Sequence, residues 1–258
     1  MENINWLRSK GIDFAIFVMG FTSLSWQFII VREMLVTFHG NEFTIGIIFA
    51  NWLLLEAVGC YLWRKKAESI KNPLVFFISI QLLIGFLALL SVTLLRSTKY
   101  FFEIPLGEVL GLHIVALISL VILAPVSISK GALFPLASRN LGMIKNKTNA
   151  ASEVYLIEAI GSFVAGLIFI FYLIERFDHF TIISIIFLLN ILSVVLLLHS
   201  QKNYSRVKIL SLVFGLLILS VTIFSSTKWL NEKTAKLLWY EYSLLTTENS
   251  VYSNIAVI

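Results

Sequence analysis

Two glutamates stand where a carboxylate is expensive. Glu56 lies in the middle of an apolar run, with Asn51 more than one turn before it, and Glu158 lies one turn into another run beside Gly161, Ala165 and Gly166. A charged side chain at the centre of a bilayer costs about 2.5–3.5 kcal/mol on insertion scales, so Glu56 is expected to face protein or water. The chemistry open to such a pair is that of a counter-charge: a polar pocket or proton relay built from Glu56 and Glu158, with His113 or Gln81 as further members. The structural alternative is an interhelical hydrogen bond or ion pair that fixes packing. The small residues around Glu158, spaced by three and four, permit the close approach this needs. Asn51, Arg32 and Glu33 complete the candidate substrate-binding set. Arg32-Glu33 belongs to a pattern of Gly20, Trp26, Phe38 and Gly40, in which two glycines and an aromatic accompany the charged pair.

No catalytic constellation can be assembled by spacing. There is no Walker loop, no G-x-G-x-x-G, no nucleophile elbow and no HExxH. His39, His113, His179 and His199 have no mutual helical spacing that would set two on one metal-binding face, so no metal site is expected. The single Cys60 has no partner thiol within the chain and reads as a small apolar helix residue. Asn146-Lys147-Thr148 matches a glycosylation sequon only on the side expected to be cytoplasmic.

The elements that must position these residues follow from composition. Of 258 residues, 58% are hydrophobic and 14% charged, too apolar for a soluble enzyme, a disordered chain or a disulfide scaffold. A spanning helix needs about 20 apolar residues. Seven runs qualify, at 12–31, 43–63, 73–95, 109–128, 154–174, 180–198 and 207–224, which predicts an all-α integral membrane protein with a bundle of about seven transmembrane helices. The net charge of +5 would suggest nucleic acid, but the basic residues cluster in the breaks between runs, as beside a membrane. Arg8, Lys10, Arg64, Lys65, Lys66, Lys71, Lys130, Arg139, Lys145, Lys147, Lys202, Arg206 and Lys208 fall on one side. The other side receives fewer, from Arg32, Arg96, Lys99 and Arg176 to Lys228, Lys233 and Lys236. Positive charge inside then places the N-terminus in the cytoplasm and, after seven crossings, the C-terminus outside. The stretch 100–141, with Pro105, Pro125 and Pro135, is where a crossing could be gained or lost, and its run 131–137 is a candidate to dip partway into the bilayer.

From Thr227 the composition turns polar. A short helix and then two strands, 240–244 and 251–258, are expected around a turn at 246–250, giving a C-terminal β-hairpin tail. The expected division is therefore a multi-pass transmembrane domain at 1–226 and the start of a truncated soluble domain at 227–258.

Four stretches, taken in order and spacing, resemble the membrane region that precedes the catalytic domain in membrane-bound spermidine synthase-like proteins, the polyamine aminopropyltransferase family. They are 20–40 (GFTSLSWQFIIVREMLVTFHG), 41–63 (NEFTIGIIFANWLLLEAVGCYLW), 131–139 (GALFPLASR) and 155–166 (YLIEAIGSFVAG). The tail 239–258 (WYEYSLLTTENSVYSNIAVI) is similar to the hairpin that opens the synthase domain. The resemblance implies a vestigial contact for decarboxylated S-adenosylmethionine at Tyr252, flanked by Ser250 and Ile255. Ser253 stands where the family pattern has glutamine. The glycine-rich nucleotide loop and the acidic residues of that domain have no counterpart here, so no cofactor is expected in this chain. Decarboxylated S-adenosylmethionine enters only as co-substrate of a supplied synthase domain.

The expected function is that of the membrane module of a spermidine synthase-like protein, anchoring the domain or handling substrate or product, and inactive alone as an enzyme. The rival readings are a stand-alone carrier for a small cationic solute and a membrane scaffold without activity. The expected location is the cell (inner, cytoplasmic) membrane. Expected partners are the lipid bilayer, a fused or separate synthase-like domain and a second copy of the chain, with no nucleic acid.

Overall fold

In a hydrocarbon solvent each backbone N–H and C=O must be satisfied within its own segment, so apolar runs of this length become helices. The computed structural model describes residues 2–38, 40, 42–105, 110–200, 206–240, 244–249 and 254–257. It is an all-α membrane bundle with a two-stranded hairpin at its C-terminal end. α1 (Glu2–Phe38), α2 (Glu42–Ser69), α3 (Pro73–Phe101) and α4 (Leu112–Lys145) are followed by α5 (Ala150–Ile168), which passes through a π-turn (Phe169–Leu173) into the short α6 (Ile174–Arg176). α7 (His179–His199) and α8 (Arg206–Leu238) complete the helices. Among the described residues six helical segments are long and apolar enough to cross a membrane, and α8 contains the seventh expected run.

α1 is the axis of the bundle. α3, α4, α5 and α7 all pack on it, burying Ile12, Ile16, Trp26, Ile30 and Met34. α2 instead packs chiefly on α4 and turns Leu53, Leu54, Tyr61 and Leu62 outward, an apolar outer face that lipid solvates at no cost. Local signals set the helix ends. Pro73 opens α3, where its missing N–H is not needed. Asp178 caps α7 by accepting from the Thr181 N–H at 3.0 Å. α4 closes on Asn146 in the left-handed region, φ 53°.

α4 corrects the expectation for 100–141. The run 131–137 does not dip; it lies inside one continuous helix that extends to Lys145, well past the expected end at 128. Pro125 and Pro135 each remove one N–H, yet the helix continues through both, with Ser129 donating to the Pro125 carbonyl at 2.6 Å and Ser138 to that of Phe134 at 2.9 Å. Lys130 and Arg139 are therefore helix residues and not loop charges.

The tail also differs from expectation. The strands are Thr246–Asn249 and Asn254–Val257, antiparallel with Thr246 opposite Val257 and Asn249 opposite Asn254. The first strand occupies the expected turn. Residues 239–240 form the turn that ends α8, with Tyr240 edge-on against Tyr100 at 5.8 Å and its hydroxyl donating to the Ile104 carbonyl at 3.3 Å. Nor does the polar shift at Thr227 break the chain into a new helix: α8 runs through it to Leu238.

Candidate functional site

α2 meets α4, and α1 meets α5, at crossings with no room for a side chain. A Cβ on Gly131 would fall on the Glu56 carbonyl oxygen, and one on Gly59 on that of Ile128. A Cβ on Gly20 would fall on the Glu158 carbonyl oxygen, and one on Gly161 on that of Phe17. Each candidate glutamate thus sits at a reciprocal glycine contact, where backbone packing fixes the point from which its side chain leaves the helix. Both Glu56 and Glu158 line one cavity of about 500 Å³ between α1, α2, α4 and α5.

Lys130 stands between them. It is buried near the middle of α4, with its ammonium 3.6 Å from the Glu56 carboxylate. Two indole faces enclose it, the ring centres of Trp52 and Trp26 lying 5.0 and 5.7 Å away. This is an aromatic and carboxylate corner of the kind that holds ammonium groups. Its hydrogen bonding is incomplete, since Lys130 Nζ has three donors and no acceptor within hydrogen-bond distance among the described residues. Glu158 accepts no hydrogen bond among the described residues, and neither does the buried amide of Gln27 on the α1 wall make one.

A second cluster sits at the end of the bundle where α1 and α3 finish and α7 begins. Glu33 accepts from Arg96 Nε at 2.9 Å, from Arg96 Nη2 and from His179 Nδ1, all three residues being buried. The remaining Arg96 nitrogen donates to Asn231 Oδ1 at 2.8 Å and Thr234 Oγ1 at 3.1 Å on α8, and the guanidinium lies over the Phe180 ring at 5.1 Å. The bidentate fork satisfies the carboxylate and ties four helices together.

The remaining expectations resolve residue by residue. Asn51 does not line the cavity; its amide donates to the Ala116 carbonyl and to Ser119 Oγ, both at 2.8 Å, pinning α2 to α4. Arg32 lies beside the Glu33 cluster, away from Glu56 and Glu158. Gln81 joins a different buried network, donating to Asn190 Oδ1 at 3.0 Å and Ser193 Oγ at 3.1 Å, with Asn190 passing a bond on to Thr22 at 2.8 Å. His113 is exposed at the start of α4. Tyr252, Ser250 and Ser253 lie outside the described residues. Lys130, Arg96 and His179 were not among the expected site residues. Among the described residues no three His, Cys, Asp or Glu side chains converge as metal ligands.

Fold and cavity together define a multi-helix membrane protein with an open, largely apolar cleft among its helices that carries Glu56, Lys130 and Glu158. Comparison with protein-family models, curated proteins and solved structures finds no match to this chain.

Proposed function

We propose that this chain is the membrane module of a spermidine synthase-like protein and that the chamber between α1, α2, α4 and α5 handles a small organic cation, a substrate or product of aminopropyl transfer. One observation carries the reading. The four stretches that resemble the family, two of them contiguous at 20–63 and the others at 131–139 and 155–166, converge on this chamber, and every residue lining it except Lys130 belongs to one of them. Two carboxyl groups and one ammonium line it, beside aromatic walls suited to a cationic guest. The module sits in the cell membrane with its N-terminus in the cytoplasm, following the distribution of Lys and Arg. Decarboxylated S-adenosylmethionine is bound by the synthase domain that this module serves and not by the helices.

The test is calorimetric titration of the full chain in lipid nanodiscs with 1,4-diaminobutane. Saturable binding is expected in the wild type and its loss in Glu158→Gln. Absence of saturable binding, or binding unchanged in Glu158→Gln, would overturn the assignment of the chamber.

A further inference from the structure

The charges on the chamber are unequal in what they have to bind. Glu56, Glu158 and Lys130 are the charged residues among its lining, a formal balance of minus one. Lys130 is committed to the Glu56 corner, 3.6 Å from that carboxylate and between the Trp26 and Trp52 rings. Glu158, across the same space, accepts no hydrogen bond among the described residues, and the buried Gln27 amide beside it is likewise unengaged.

We propose that Lys130 is a built-in occupant that sets the charge the chamber accepts: it fills the Glu56 corner as a tethered ammonium and leaves Glu158 as the position for a single ammonium group of a ligand. A diamine or polyamine is then held by one end, and the chamber does not distinguish it from a primary monoamine. Removing Lys130 opens the aromatic corner to a second ammonium. Removing the Glu56 charge frees Lys130 to turn to Glu158, which closes the site without touching the ligand's own contact.

This inference rests on the organic-cation reading above, and a charge cycle separates the two. Butylamine and 1,4-diaminobutane are titrated into the full chain in nanodiscs, with thermal unfolding of each variant as the check on folding. The wild type is expected to bind the two amines within about threefold of each other, whereas Lys130→Met favours the diamine by about tenfold or more. Glu56→Gln weakens butylamine by about tenfold or more, and the double variant Glu56→Gln/Lys130→Met, again at minus one, recovers to within about threefold of the wild type. A purely structural ion pair also recovers in the double variant, so the readout that separates the two is the diamine preference of a folded Lys130→Met, which a structural pair leaves unchanged. If Lys130→Met is folded and leaves the ratio unchanged while Glu158→Gln still abolishes binding, the proposal for Lys130 fails and the cation site stands. If no amine binds the wild type, both fail. Where Lys130→Met does not fold, Glu56→Gln decides: retained butylamine affinity overturns the proposal.

Discussion

Arg96→Met removes the centre of the only described cluster in which a buried carboxylate has three donors, and its cost can be worked from the contacts. Glu33 keeps His179 but loses both bonds of the guanidinium fork, while Asn231 and Thr234 lose the donor that ties α8 to α3. At an effective dielectric of about 20, opposite charges about 4 Å apart attract by about 4 kcal/mol. Removing one member of a buried pair costs about 3–5 kcal/mol, because the partner stays charged and dry. The double variant Glu33→Gln/Arg96→Met removes both charges and is expected to recover most of that loss, giving a coupling of at least about 2 kcal/mol. The assay is reversible unfolding in mixed micelles, followed by circular dichroism, for the wild type, the single variants and the double variant. A loss below about 1 kcal/mol for Arg96→Met, or additive single and double variants, would refute the claim that this network holds the helices.

The glycine crossings predict a sharp contrast between positions. Gly131→Ala and Gly20→Ala, whose Cβ atoms would meet the Glu56 and Glu158 carbonyls, should each destabilise by about 1–3 kcal/mol in the same unfolding assay. Gly46→Ala, with nothing within 4 Å of the added Cβ, should be neutral or slightly stabilising. Asn190→Leu breaks the bonds to Gln81 and Thr22 and is expected to cost about 0.6–1.7 kcal/mol, the usual range for a hydrogen bond between membrane helices. Finally, the clusters at the two ends of the bundle fix its parity: Asp13 and Glu153 meet Lys145 at one end, while Glu33, Arg96 and Asn231 meet at the other. With the N-terminus in the cytoplasm, alkaline phosphatase fused after residue 240 should be active and a cytoplasmic reporter there silent; the reverse pattern would overturn the orientation.

The helices were legible because insertion into lipid leaves the backbone no alternative, and charges between apolar runs mark where each helix emerges. Glu56 and Glu158 stood out in the sequence as carboxylates inside apolar runs, and the fold brings both to one cavity. Lys130 was hidden by its neighbours. The fourth apolar run ends at 128 in the sequence and 131–137 reads as a candidate to dip into the bilayer, so the lysine between them was counted with the loops, whereas α4 continues through both. Arg96 and His179 were hidden differently: each sits near the end of its helix, where a basic residue ordinarily anchors in headgroups. Only the convergence of α1, α3, α7 and α8 makes them partners. The hairpin was misplaced because the polar residues 246–249, read as a turn, form the first strand, while the helix before them runs on to Leu238.

The two charge clusters differ in how fully they are satisfied. Around Glu33 every carboxylate contact is a close, buried hydrogen bond, and the guanidinium spends its other nitrogen on Asn231 and Thr234. That is how a buried ion pair offsets the cost of leaving water, although the second ring nitrogen of His179, Nε2, is buried without a hydrogen-bond partner among the described residues. Around Lys130 the ammonium has a carboxylate at 3.6 Å and two ring faces but no hydrogen bond, and Glu158 and Gln27 face the same open space without acceptor or donor. A structural role would favour closing that space, because half-satisfied polar groups are worse for stability than an apolar core. The fold does the opposite, spending two reciprocal glycine crossings on presenting these groups around a chamber of about 500 Å³. The Glu33 carboxylate is the comparison within the same molecule: its contacts are close hydrogen bonds, whereas Lys130, Glu158 and Gln27 line their cavity without one among the described residues.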